Sequence, residues 1–356
     1  LALGGFGAAV SVAWMETQLS WGLAAATVSF VLIGLGLGAS ATNLLALLAV
    51  RVAPERKPAA ASIVWIMMIA GLAITGASAG QALSPYSPER LVLVSGVVSI
   101  AALLLTIVAV WGMDAAAPST RIAPQKTDFF AAIREVWRDV PARNFAIFVF
   151  AAMVAYNTQD LILEPFAGHV FGMDPGQSTA LAGVQHSGAL LGMIMVAILG
   201  TAVGGPVFGS MRLWTIGGCL ASGAALVALG LGGMQGPHWP LTTNVFLLGF
   251  ANGCFAVAAI GSMMGLASND TEGGRSQQAG LRMGVFGAAQ SLGFAAGGFA
   301  GTAAVDAMRL STDRLEIAYG TVFVAEGFVF LVAALLAARA VGAVAAAPPP
   351  HAVPGE

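Results

Sequence analysis

Apolar stretches of near-membrane length recur along the chain, separated by short breaks rich in Gly, Pro and charge. They run over 1–14, 22–50, 59–82, 91–112, 143–170, 177–203, 211–233, 240–267, 279–304 and 315–341. Most reach the roughly 20 residues that a helix needs to cross about 30 Å of hydrocarbon. A backbone in lipid must satisfy its own hydrogen bonds, and runs this continuously apolar lack the alternation of barrel strands. The pattern predicts an all-α polytopic membrane protein with about ten transmembrane helices. Its repetition excludes a single cleaved signal peptide.

Composition agrees. Of 356 residues, 58% are hydrophobic and 9% charged, and mean hydropathy is +0.85, whereas soluble domains carry about 25% charged residues. The 46 glycines, many beside Ala or Ser, suit close helix approach. The net charge of −2 says little, but the placement of charge is informative. Alternate breaks hold Arg51, Arg56, Lys57, Arg121, Lys126, Arg134, Arg138, Arg143, Arg212, Arg275, Arg282 and Arg339, leaving Arg90, Arg309 and Arg314 for the others. By the positive-inside rule the first set faces the cytoplasm, and the C-terminus is expected on that side.

The longest polar break, 113–142, divides the chain into a partial N-terminal half of four helices (1–112) and a C-terminal half of six (143–342). Within it, Asp128 to Val140 places Phe129, Phe130, Ile133, Val136 and Trp137 opposite Arg134, Glu135, Arg138 and Asp139. That spacing predicts an amphipathic helix on the cytoplasmic membrane face or, alternatively, an ordinary solvated linker helix. The tail over 343–356, with Pro348, Pro349 and Pro350, is expected to be disordered. A basic turn opening a small-residue helix occurs at Arg51 to Gly71 and again at Thr271 to Gly293, a faint internal repeat. Equivalent halves would have six helices each, and the chain starts at Leu1 rather than Met, so two N-terminal helices are expected to be missing. A 6+6 plan with a cytoplasmic central loop is that of the major facilitator superfamily.

Candidate chemistry is concentrated between 143 and 205. Asn157, Asp160 and Glu164 fall on one helical stripe with Gln159 beside it, and Pro165 removes a backbone donor, so a kink or helix end is expected there. At about 1.5 Å per residue from Arg143 the stripe lies in the outer half of the bilayer. Ionisable groups are costly in that setting, and each is a functional-site hypothesis. The stripe reads as a substrate or proton site, an interhelical polar clamp or a wet vestibule. Gln185 and His186 lie about nine residues into the next helix. His186 reads either as a core histidine satisfied by a carbonyl or by the Asp160/Glu164 stripe, or as an axial ligand to the Mg of a chlorin ring. Gly188 and Gly192 suit a close contact with a helix or with a flat macrocycle. Glu326 is mid-run in the last helix and needs a cavity, a partner or a proton.

Other polar residues carry less. Asn43, Asn252 and Gln290 read as interhelical hydrogen bonds, His169 and His238 as interfacial residues, and Cys219 and Cys254 as packed thiols. No Walker loop, dinucleotide fingerprint, nucleophile elbow or metalloprotease motif is present, which argues against ATP-driven transport and ordinary hydrolysis. A non-enzymatic role is expected, and nothing points to nucleic acid.

The runs Asn157-Thr-Gln-Asp-Leu-Ile-Leu-Glu-Pro-Phe-Ala-Gly-His-Val-Phe-Gly-Met173 and Gly183-Val-Gln-His-Ser-Gly-Ala-Leu-Leu-Gly-Met193 closely resemble the PucC/LhaA family. The similarity extends along the whole chain, including the Arg51 to Pro58 turn, but without that family's first two helices. The resemblance implies a major-facilitator fold in the photosynthetic inner (intracytoplasmic) membrane of a purple bacterium. It implies an assembly factor that delivers transiently bound bacteriochlorophyll to light-harvesting 1 or 2 α/β polypeptides around the reaction centre. Bacteriochlorophyll synthase and the membrane-insertion machinery are further partners to expect. The residues expected to bind pigment or another ligand are His186, Gln185, Asp160, Glu164, Asn157, Gln159 and Glu326. Two other readings stay open: an ion-coupled secondary transporter of a small or amphipathic molecule, and a purely structural antenna-associated subunit.

Overall fold

Continuous apolar sequence without strand alternation can satisfy its backbone in lipid only by coiling, and helices dominate the described residues. The computed structural model describes residues 1–52, 57–112, 134, 137–268 and 276–340. The helices are α1 (Ala2–Met15), α2 (Leu19–Arg51), α3 (Lys57–Leu83), α4 (Pro88–Val110), α5 (Val140–Phe171), α6 (Pro175–Ile198), α7 (Met211–Gly233), α8 (Leu241–Ser268), α9 (Ser276–Ser311) and α10 (Leu315–Ala340). A π-helical turn, Leu199–Val203, and a single helical turn, Gly205–Phe208, follow α6. Among the described residues there is no strand. Among the described residues, eight helices are long and apolar enough to span a bilayer; α1, with 14 residues, is shorter, and the 36-residue α9 is less apolar. The chain is an all-helical, polytopic membrane protein, consistent with the major-facilitator-like class. Most of the predicted linker helix over 128–140 and the tail from 343 lie outside the described residues.

Local chemistry explains where the helices begin and end. Pro88 follows Ser87, whose hydroxyl accepts from the Arg90 amide at 3.2 Å, and Ser210 accepts likewise from Leu213 at 3.3 Å. At the start of α6 the Asp174 carboxylate accepts from the Gln177 amide (2.9 Å) while the Gln177 side chain accepts from the Asp174 amide (3.0 Å), a reciprocal cap. Helix α5 closes at Gly172, whose φ of 69° lets the Met173 amide turn back to the Ala167 carbonyl. Of the two outcomes expected at Pro165, a helix end does not occur: α5 continues to Phe171. The cost is local: Pro165 has no N–H for the carbonyl four residues before it.

The chain divides into two compact units. One contains α1, α2, α4, most of α3 and the start of α6; the other contains α5, the rest of α6, α7 to α10 and the Met68–Ala73 turn of α3. In the first, α1 packs against α2 and α4, and α4 has no buried residue. In the second, α5 packs on α9 and α10, and α7 packs on α8 and α10. Its core is aromatic: Phe145, Phe148, Phe166, Phe255, Phe286, Phe323 and Phe330 are fully buried. Glycines bring the backbones together. A Cβ on Gly293, Gly297 or Gly301 of α9 would strike Phe150, Val154 or Thr158 of α5, and one on Gly249 or Gly253 of α8 would overlap the carbonyls of Gln185 or Ala189 of α6.

Candidate functional site

The second unit gathers most of the polar residues singled out from the sequence. The α8 backbone sits against Gln185 because Gly249 has no side chain, and from that fixed position Gln185 Nε2 donates to Asp160 Oδ1 of α5 at 2.8 Å. Gln185 is 3% exposed and Asp160 is half-buried, so the bond ties α5 to α6 where water is scarce. Asp160 lies within electrostatic reach of His186 and Glu164, of Tyr156 one turn earlier on α5, and of Glu326 on α10.

His186 is half-buried, and its Nδ1 lies 2.7 Å from the Ala182 carbonyl. A carbonyl only accepts, so Nδ1 carries the hydrogen and Nε2 is the lone-pair nitrogen of the neutral ring. The carbonyl-satisfied reading is thus the one observed, and the backbone bond fixes the tautomer. Glu164 is exposed on the surface of α5. Asn157 turns away from this group, donating from Nδ2 to the Phe294 carbonyl of α9 at 2.7 Å; Thr158 donates to the Gly297 carbonyl at 2.8 Å. These two form the clamp between α5 and α9.

Gln159 and Glu326 are the least satisfied. They are 0% and 5% exposed, and neither the amide atoms of Gln159 nor the carboxyl oxygens of Glu326 have a hydrogen-bond partner. Asn252, read as an interhelical bond, accepts from Ser222 of α7 at 2.8 Å but leaves its own Nδ2 unpartnered. Beyond Gln159 along α5, Phe166 packs against Phe171, Tyr319 and Phe323. The interfacial His169 shares a 2.8 Å hydrogen bond with the Tyr319 hydroxyl. Gly188 and Gly192 are filled by the Phe246 and Phe250 carbonyls of α8, which makes their contact a helix seam. Cys219 and Cys254 are buried free thiols.

Sequence reasoning missed Tyr156. Its signal was present, since it precedes Asp160 by four residues and so shares its helix face, but a tyrosine in an apolar run reads as packing. Among the described residues no cluster of His, Cys, Asp and Glu suits a metal ion held by three or more side chains. A single imidazole ligand to a metal already held by a macrocycle is a different requirement.

Residues 1–344 match the family described as "PUCC protein". The chain is 45% identical over its whole length to "Bacteriochlorophyll synthase 44.5 kDa chain" of Rhodobacter capsulatus, covering 81% of that protein. It is 26% identical to "Protein PucC" of the same organism over 94% of this chain and 70% of the relative. It is also 26% identical to "Protein PucC" of Cereibacter sphaeroides over 78% of this chain and 58% of the relative. The first of these overturns the expectation of a non-enzymatic role: the relative at 45% identity carries an enzyme's name. Scanning for soluble-enzyme motifs could not have found this, because such motifs describe other chemistries.

Proposed function

Because the chain belongs to the PucC protein family, we propose that it handles bacteriochlorophyll during assembly of the photosynthetic antenna, with His186 at the pigment-holding position. The observation that carries this reading is the state of His186. Its Nδ1 is committed to the Ala182 carbonyl, and Nε2 remains as the lone-pair nitrogen beside a buried, bonded Asp160–Gln185 pair.

These residues fit a magnesium chlorin. His186 would supply the nitrogen that holds the metal, Gln185 and Asp160 would hold the α5–α6 spacing, and the exposed Glu164 would meet polar groups of the pigment. When bound, the pigment supplies light absorption and an open metal coordination position. The chain's own residues orient it and exclude water. The relative named as a chain of bacteriochlorophyll synthase supports placing this work close to pigment synthesis. Expected partners are the antenna α/β polypeptides, which take up the pigment in the membrane.

Pigment content after purification in mild detergent tests the proposal. Wild-type chain should retain bacteriochlorophyll, and His186→Leu should lose it by about tenfold or more, the scale on which metal-site ligation responds to its support. Equal pigment in both, with the variant folded, would reject His186 as the holding residue. Antenna assembly in the same mutant strain separates pigment handling from a structural role, which would leave assembly normal.

A further inference from the structure

Glu326 stands near the middle of the 26-residue α10, at the depth where an uncompensated charge is most costly. Its surroundings follow from the packing of α10 against α5. Helices α5 and α10 are antiparallel, because His169 pairs with Tyr319 while the earlier Phe166 packs on both Tyr319 and Phe323. From the Phe166–Phe323 contact, Gln159 lies two turns along α5 on the same face, and Glu326 lies one turn along α10 in the same direction. At 1.5 Å per residue these steps are about 10 Å and about 5 Å, so the two unpartnered side chains sit about one turn apart in depth.

The charges around Glu326 do not compensate it. From α5 the group in electrostatic reach is Asp160, itself an acid, with Tyr156 beside that. From α7 the titratable groups are buried Cys219 and terminal Arg212, whose guanidinium donates to the Ala338 carbonyl at 2.9 Å. On the described part of α9 they are Asp306 and Arg309, a surface pair at 3.8 Å near the opposite end of α10. Among the described side chains, then, no cation meets the carboxyl, and a proton is the remaining way to neutralise it.

We propose that Glu326 is a proton-binding site within the membrane, buried between helices with the Gln159 amide at a similar depth. Binding adds one proton to the carboxylate and changes no other bond. The proposal goes beyond pigment handling and does not depend on it.

Infrared difference spectroscopy on the full chain in lipid nanodiscs, wild type against Glu326→Gln, reads this directly. The expected result is a carboxylic-acid C=O band at neutral pH that shifts in D2O, disappears in Glu326→Gln and survives in Asp160→Asn. Pigment-free protein should show the same band, so failure of the His186 reading leaves this result unaffected. A carboxylate signature in place of the acid band at neutral pH would overturn the proposal. Should Glu326→Gln not fold, Glu326→Asp supplies the assignment by shifting the band, and an acid band absent from the wild type at every pH tested would overturn it equally.

Discussion

Asp160 and Gln185 illustrate how one hydrogen bond in a dry interior acquires weight. Removing Gln185 leaves a half-buried carboxylate without its donor, and such a loss costs about 1–3 kcal/mol. Gln185→Leu should therefore lower the melting temperature in detergent, while Asp160→Leu/Gln185→Leu should recover part of the loss. An additive double mutant would show that the 2.8 Å contact carries no coupling energy. Glu326 should behave oppositely. Its oxygens make no bond that substitution can break, so Glu326→Leu should keep or raise thermal stability, as replacement of buried ionic groups by apolar ones often does. A marked drop in melting temperature would mean that the carboxyl has a structural partner.

At the level of whole helices, much of the fold was legible from the sequence. The run 211–233 coincides with α7 at both ends, and the others fall within a few residues, apart from the 279–304 run, which α9 extends to Ser311. Hydropathy could do this because lipid imposes one requirement along the entire length of each span. The candidate site was legible residue by residue but not in its pairing. Asn157 shares a stripe with Asp160, yet it serves α9 while Asp160 serves α6, and helical phase alone does not say which neighbour occupies which face. The partners of Gly188 and Gly192 were equally hidden, because Gly249 and Gly253 lie far away in sequence. These seams predict sharp intolerance. Gly297→Val and Gly249→Val should each cost about 3 kcal/mol or more through overpacking and reduce monodisperse yield on size exclusion. Gly284→Ala and Gly287→Ala, where an added methyl meets nothing within 4 Å, should be silent or slightly stabilising. Equal effects at both sets of positions would contradict the described packing.

On the scale of the molecule, the alternation of basic and non-basic breaks predicts an orientation that labelling can test. The two native cysteines are buried and should react slowly with polar maleimides, so single introduced thiols can report on sidedness. Ser87→Cys and Thr312→Cys should label from the periplasmic side of intact cells, whereas Ser210→Cys should label only after the membrane is opened. The reverse pattern would invert the topology drawn from charge.

Helix α4 has no buried position along Pro88–Val110. A segment that packs on α1 but encloses no side chain fully is constrained more by how oily it is on average than by which oily residue stands where. Over evolutionary time its Leu, Val, Ile and Ala should interchange freely, so a saturation library there should return nearly every aliphatic substitution while rejecting the polar ones. The same library on α7, with Cys219, Ser222 and Leu226 enclosed, should return little beyond the starting residues. The two helices would thus accumulate change at different rates within one chain.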